Sequence, residues 1–149
     1  MMLMKNRIKK AVLMLLLSAV AFTVQAQSKL HVEQAFTNYG QRKGCKMVTM
    51  KDATLHGYKL SVYQSLTYKK LGDEIASLLA ADRKNAKKIR EVIDDGRIAS
   101  GYYEMLPTRE GLNRFVLYSR RSAQEGTVIY IEGTLTADDI MKMCYVKRK

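Results

Sequence analysis

An apolar run near the N-terminus limits how much of this chain can belong to a folded domain. The run covers residues 11–22 with only Ser18 interrupting it. The residues before it carry basic and no acidic side chains: Lys5, Arg7, Lys9 and Lys10. A basic stretch followed by about twelve apolar residues is typical of a secretory signal, whereas a membrane-spanning helix needs about twenty. The pattern predicts an export signal, with an uncleaved N-terminal anchor as the alternative.

A cleavage signal follows the run. Val24 and Ala26 stand three residues and one residue before the cut if a signal peptidase cuts before Gln27. No cysteine follows the run directly, which argues against lipoprotein anchoring. We therefore predict a cleavable signal peptide over residues 1–26, a single domain over residues 27–149, and a location in the periplasm or outside the cell.

The mature chain is predicted to be a compact basic domain. The whole chain has 26 Lys and Arg against 14 Asp and Glu, and the signal removes four basic and no acidic residues, which leaves a net charge of +8. A chain of about 120 residues is long enough for one hydrophobic core. A single proline and the lack of low-complexity tracts argue against disorder.

Apolar spacing in the first part of the domain is helical and then alternating. It predicts a helix over residues 29–42, a strand over Cys45–Met50 and a second strand near Gln64–Lys70. The segment from Lys51 to Tyr63 stays open between strand, helix and loop. The helix buries one face, formed by Val32, Ala35, Phe36 and Tyr39.

Helical spacing returns from Gly72 and continues to about Ile93. Asp82 falls in the middle of the apolar arc. Either the helix breaks near Ala81 and Asp82 caps a second piece, or a carboxylate is buried and must have a partner. We favour the break.

The last part of the domain predicts a meander of strands followed by a helix. A turn signal at Asp94-Asp95-Gly96 precedes three alternating segments, Ile98–Leu106, Arg114–Arg121 and Thr127–Leu135. A helix then begins at Thr136, where Asp139 completes a capping arrangement and Leu135 and Ile140 form a hydrophobic staple. The order predicts an α+β fold, an antiparallel sheet of about five strands with helices packed mainly on one face.

The layout resembles a family of short exported Bacteroidetes proteins, domain-of-unknown-function family 6108, which is related to family 4252. The shared features include the signal end Val24-Gln25-Ala26-Gln27, the segments Phe36-x-x-Tyr39-Gly40 and Gly44-Cys45-Lys46-Met47-Val48, Gly57-Tyr58, Ser65-Leu66, Lys87-Lys88-Ile89, Asp95-Gly96, Asn113-Arg114-Phe115, and Ile129-Tyr130-Ile131-Glu132-Gly133. The resemblance implies a Gram-negative envelope setting and an uncharacterised function. It carries over no active-site residues.

No catalytic, cofactor or metal motif is present in the sequence. His31 and His56 are its two histidines, and neither stands at a metal-binding spacing. Zinc-hydrolase motifs, nucleophile elbows and phosphate-binding glycine loops are absent. We predict no catalytic site, no cofactor and no metal, and we lean away from an enzyme.

A basic cluster is the first candidate binding feature. It is predicted to lie beside the apolar arc of the second helix and consists of Arg83, Lys84, Lys87, Lys88 and Arg90. Such a run is either a solvated face or a site for an anionic glycan, a lipid surface or an acidic face of an envelope protein. The predicted export argues against nucleic acid, and the short apolar run argues against an integral membrane protein.

Tyrosines and cysteines supply two further candidates. Four tyrosines fall in the predicted meander, where Phe115 and Leu117 point to one face while Val116 and Tyr118 point to the other. One face is then either an exposed tyrosine surface or half-buried packing. Cys45 and Cys144 are either bridged or buried as free thiols. The four tyrosines are Tyr102, Tyr103, Tyr118 and Tyr130.

Two functional hypotheses follow. The first is a non-enzymatic periplasmic binding or interaction module that uses the exposed sheet face or the basic helix. The alternative is a small envelope enzyme, hydrolase-like, with an unrecognised site. An antiaggregation protein acting through its surface is not distinguished from the first hypothesis by sequence.

Overall fold

The computed structural model describes residues 29–146, with side chains as far as Cys144. The predicted signal peptide lies outside the described residues. The helices within them are α1 (Glu33–Tyr39), α2 (Gly72–Arg83) and α3 (Ala137–Val146). The strands are β1 (Lys46–Leu55), β2 (Tyr58–Tyr68), β3 (Lys87–Asp94), β4 (Arg97–Met105), β5 (Asn113–Arg120) and β6 (Gly126–Gly133).

The strands form one antiparallel sheet in the order β1-β2-β6-β5-β4-β3. Strands β3 to β6 follow one another as a meander, and β1 and β2 form a hairpin. The hairpin joins the meander where β2 pairs with β6. The predicted antiparallel α+β class is confirmed, but the sheet has six strands and not about five.

A tight turn lies within residues 51–63, the segment for which the sequence did not decide between strand, helix and loop. His56 and Gly57 have φ values of 51° and 83°, and they place Leu55 opposite Tyr58. Two successive residues at positive φ form the turn type whose twist matches that of two paired strands. Residues 51–63 are therefore the end of β1, a two-residue turn and the start of β2.

Residues 87–94 form an edge strand and not the end of a long helix. Helix α2 ends at Arg83, and β3 pairs with β4 around Asp95 and Gly96, whose φ values are 52° and 72°. Such a turn requires a strand on each side. Ile89 matched the helical spacing by coincidence, so the prediction of a helix beyond Arg83 is wrong.

Helices pack on both faces of the sheet. The front face is covered by α1 and α2, and the back face is partly covered by α3, so the prediction of helices mainly on one face holds for two of these three. The front face carries Leu66, Tyr103, Val116, Tyr118, Val128 and Tyr130. On the back face, Leu60, Phe115, Leu117 and Ile131 form one buried cluster with Ile140 and Met143 of α3.

Asp82 joins α2 to the start of α1. Its Oδ1 accepts a hydrogen bond from the backbone N–H of His31 at 2.8 Å, and its Oδ2 accepts one from that of Val32 at 2.8 Å. The Nδ1 of His31 lies 3.1 Å from the same Oδ1. Helix α2 does end close to Asp82, at Arg83, but no second helical piece follows it, so the prediction that Asp82 caps such a piece is wrong and the alternative of a buried carboxylate with a partner is confirmed. The buried carboxylate is stabilised because it caps another helix, whose first N–H groups lack partners of their own.

The start of α3 confirms the predicted capping arrangement. The backbone N–H of Asp139 donates to Thr136 Oγ1 at 3.2 Å, and the backbone N–H of Thr136 donates to Asp139 Oδ2 at 2.8 Å. Leu135 and Ile140, on either side of this box, are both buried. This local chemistry fixes the angle at which α3 leaves the sheet.

Candidate functional site

The five predicted basic residues do not form one helix face. Arg83 ends α2 and Lys84 follows it, whereas Lys87, Lys88 and Arg90 belong to β3. A bulge at Ile89 separates the strand residues, so that Lys88 lies opposite Tyr103 and Arg90 lies opposite Tyr102. Tyr103 and Tyr102 point to opposite faces of the sheet. The basic residues are therefore divided between the two faces and do not form a single anionic-surface site.

Arg83 forms an ion pair with Glu91 at the surface of the fold, where the arginine side chain is 44% exposed. Its Nε and a terminal nitrogen donate to the two carboxylate oxygens of Glu91 at 2.7 Å and 2.6 Å. The hydroxyl of Tyr103 donates to the same carboxylate at 2.6 Å, and the side chain of Glu91 is only 5% exposed. The hydrogen bonds from Arg83, and after them that from Tyr103, lower the pKa of Glu91 to about 2 against the opposing effect of burial. This network fastens α2 to β3.

We expect the substitution Glu91→Gln to lower the free energy of unfolding by about 2 kcal/mol at neutral pH, because charge-assisted hydrogen bonds are lost. The pKa of Glu91 is lowered from 4.5 to about 2 in the folded state. Its contribution is therefore complete above pH 4.5 and disappears as the pH falls toward 2. Urea unfolding at several pH values measures this.

The matched control for that substitution is Glu110→Gln, because Glu110 is exposed in the β4–β5 loop. The control should track the wild-type protein at every pH. If the difference between wild type and Glu91→Gln stayed constant between pH 7 and pH 3, the ion pair would not be the source of the stability.

Three of the four meander tyrosines are packing residues. Tyr103, Tyr118 and Tyr130 are buried on the front face under α1 and α2. Tyr102 is half-buried on the back face. The predicted opposite orientations of Leu117 and Tyr118 are confirmed by the register. The structure therefore favours half-buried packing for these residues over an exposed tyrosine surface.

A cleft of about 200 Å³ opens on the back face. We call it the back-face cleft. Sheet residues form its floor, the β1–β2 turn forms one side and α3 forms the other. Its lining consists of Leu55, His56, Tyr63, Tyr102, Leu117, Tyr118, Ser119, Thr127, Ile129, Ile131, Met143 and Cys144.

The back-face cleft exists because α3 covers only part of the sheet. Met143 packs into the buried cluster, whereas Cys144 on the next position reaches the open side. On the opposite side, a bulge between Leu60 and Val62 shifts the register between β2 and β6. Bulges increase the local twist of a strand pair. Leu55 and His56, at the end of the β1–β2 hairpin, line the cleft beside the sheet floor.

The chemistry of the lining is mostly apolar with a polar rim. His56, Ser119 and Thr127 supply the polar groups, and within the described residues no hydrogen bond joins His56 to Cys144. Cys45 and Cys144 are free, half-buried thiols in the structure, and a bridge between them stays a prediction for the oxidised protein. The described part of the chain contains no group of three or more metal-ligand side chains.

Sequence reasoning missed this cleft because its residues come from five separate segments, the β1–β2 hairpin, β4, β5, β6 and α3. One local signal was available: His56-Gly57 between two alternating runs indicates a hairpin turn, which would have placed Leu55 and Tyr63 on paired strands. Nothing local indicated that α3 would stop short of Ile129.

No helix within residues 29–146 meets the length and apolarity that a membrane crossing requires.

Comparison with known proteins agrees with the layout of the chain. No curated protein and no solved structure gave a significant match. A family model described as a family of unknown function, DUF6108, matches residues 19–144. This match covers the whole sheet and nearly all of α3. The chain therefore belongs to the DUF6108 family.

Proposed function

We propose that this protein is an exported binding module that holds an apolar group in the back-face cleft. The observation that carries the proposal is the lining of the cleft, in which leucine, isoleucine, methionine and tyrosine side chains surround about 200 Å³ of open space. Concave apolar sites with a few polar groups are the usual form of small-ligand sites. The basic residues on β3 have no part in this proposal.

The size of the cleft limits what it can bind. An apolar cavity of roughly 150 Å³ is large enough for benzene. The back-face cleft, at about 200 Å³, therefore accepts one ring or one branched aliphatic group. The rim of His56, Ser119 and Thr127 adds hydrogen-bonding groups beside that space. We infer that the occupant is a single aromatic or aliphatic group bearing a hydroxyl or amide.

The probe for this proposal is p-cresol, a ring that carries one hydroxyl. We expect it to bind with a dissociation constant of about 1 mM, because so few atoms make contact. In two-dimensional amide NMR spectra, the shifts should concentrate at Tyr63, Ile129 and Cys144. The substitution Ile129→Trp fills the floor and should abolish them.

The matched control is Ile93→Trp, since Ile93 is 55% exposed on the edge strand β3. It should leave the p-cresol shifts unchanged. A second measurement does not depend on the folding of the tryptophan variant: in a Cys45→Ser background, p-cresol should slow alkylation of Cys144. Shifts scattered over the surface, together with unchanged alkylation, would argue that the cleft binds nothing of this kind.

Export is the second part of the proposal. The basic stretch, the apolar run and the cut site before Gln27 support it, as does the resemblance to exported Bacteroidetes proteins. The occupant of the cleft would then belong to an envelope protein or to a small molecule of the periplasm. Mass spectrometry of the native protein should find Gln27 as its first residue, and a chain that retains residues 1–26 would contradict cleavage.

A further inference from the structure

A second cavity lies on the front face, on the side of the sheet opposite the back-face cleft. It measures about 250 Å³ and lies between the first turns of α2 and the ends of β4 and β5. We call it the arginine pocket. Its lining consists of Gly72, Asp73, Ala76, Leu79, Arg97, Ile98, Tyr118, Arg120 and Ala123.

Two guanidinium groups dominate the charge of the arginine pocket. Arg97 begins β4 and Arg120 ends β5, so the meander brings them to the same end of the sheet. In the part of the chain that the structure describes, no ion pair joins either of them to a carboxylate. Asp73 also lines the pocket. The lining therefore carries a net charge of +1.

A buried hydroxyl next to the pocket lacks a partner. Tyr68 is 1% exposed, and its hydroxyl meets no acceptor at full hydrogen-bonding geometry within the described residues, although the Tyr118 side chain lies close enough to raise its pKa. Gly126 stands between Tyr68 and Arg120 in the sheet, and a Cβ there would lie 2.5 Å from that hydroxyl oxygen. Burial, followed by the neighbouring Tyr118, raises the pKa of Tyr68, while the charge of Arg120 lowers it.

The Tyr68 hydroxyl lies close to residues of the arginine pocket. It lies over Gly126, whose partner on β5 is Arg120 of the lining, although Tyr68 itself is not one of the lining residues. Buried polar groups in proteins nearly always have a hydrogen-bond partner, and an exception needs an explanation. A bound acceptor in the pocket supplies one, because a neutral tyrosine hydroxyl donates to an anionic oxygen.

We propose that the arginine pocket binds the carboxylate group of a small molecule. Guanidinium groups match the paired oxygens of a carboxylate and remain charged at every physiological pH. A net lining charge of +1 suits a singly charged group better than a doubly charged phosphate. The proposal is independent of the apolar cleft, which lies on the other face.

The test is a titration of the mature protein with sodium acetate, followed by amide NMR at constant ionic strength, with sodium chloride as the balancing salt. We expect saturable shifts at Arg97, Tyr118 and Arg120. Arg97→Gln and Arg120→Gln should each weaken acetate binding about tenfold. The matched control is Arg121→Gln, since Arg121 is exposed, follows Arg120 directly and does not line the pocket.

Two further variants separate binding from folding. Asp73→Asn removes the opposing charge and should tighten acetate binding several-fold, a gain that misfolding does not produce. Tyr68→Phe should weaken binding about threefold to tenfold while changing the melting temperature little, because the free protein loses only the interaction of this hydroxyl with Tyr118. A lower melting temperature with unchanged binding would give the hydroxyl a structural role and contradict its part in the proposal.

Each remaining outcome decides the proposal. Shifts that chloride reproduces, or that persist in both Arg97→Gln and Arg120→Gln, would overturn a site at these residues. Tighter binding of phosphate than of acetate at the same residues would overturn the carboxylate assignment. Saturable acetate shifts that respond to Arg120 and Asp73, and not to Arg121, would establish it.

Discussion

Adding one methyl group at Gly72 is expected to cost the domain about 3 kcal/mol of unfolding free energy, because overpacking against rigid backbone is among the most damaging of small changes. A Cβ at this position would lie 1.9 Å from the carbonyl oxygen of Ala123 and 3.0 Å from the Cα of Gln124. These atoms are backbone and cannot rotate away. Either α2 or the loop between β5 and β6 would have to move.

The loop at Gly72 is fastened to α2 by hydrogen bonds that such a movement would break. The backbone N–H of Gly72 donates to Gln124 Oε1 at 3.1 Å, and that of Leu71 donates to the carbonyl oxygen of Gln124 at 3.3 Å. Helix propensity alone would predict the opposite result, since alanine in a helix is favoured over glycine by about 1 kcal/mol. The sign of the effect therefore separates packing from propensity.

Urea unfolding of Gly72→Ala measures the loss. The control is Ser77→Ala, because Ser77 is exposed on the same helix and should gain a few tenths of a kcal/mol, roughly the propensity difference. If Gly72→Ala were as stable as the wild type, the loop between β5 and β6 would not rest on α2.

Removal of the Asp82 carboxylate is expected to have a similarly large effect. Asp82→Ala leaves the N–H groups of His31 and Val32 without acceptors, and Val32 is completely buried. Loss of a helix cap costs about 1 kcal/mol, and each unsatisfied buried donor about 1–3 kcal/mol. We expect a loss of about 3 kcal/mol for alanine and about half of that for Asp82→Asn, which keeps one acceptor oxygen.

The measurement combines urea unfolding with amide hydrogen exchange. Protection in α1 should fall more than protection in β5, since α1 is the element that loses its cap. The control is Asp138→Ala, because Asp138 is exposed in the first turn of α3. A loss below 1 kcal/mol with α1 still protected would show that Asp82 is not what holds the first helix in place.

Local sequence patterns predicted the strands and the helix start that are marked by residues close together in the chain. Strands β4, β5 and β6 alternate regularly and were placed within two residues of their bounds, and the Thr136–Asp139 box marked the start of α3. Strand β3 was missed because Ile89 continues the helical spacing of α2. The better guide there was Asp95-Gly96, a pair that favours a hairpin turn between two strands.

Long-range features of the fold and the site were beyond sequence reasoning. The partner of Asp82 lies 51 residues away at His31, so no window along the chain contains both. The back-face cleft gathers residues from Leu55 to Cys144. Its existence depends on how far α3 extends over the sheet, which packing decides and helical periodicity does not.

The place of β6 between β2 and β5 decides when these two strands gain their second partner during folding. The β1–β2 hairpin and the β3–β5 meander each form from neighbours in the chain, whereas Leu66 on β2 pairs with Val128 on β6. Such distant pairings form slowly. Until β6 docks, β2 and β5 both present unpaired backbone to other chains, and unpaired edges promote aggregation. One strand near the C-terminus therefore closes two edges at once, and a chain interrupted before Gly126 is left with both of them open.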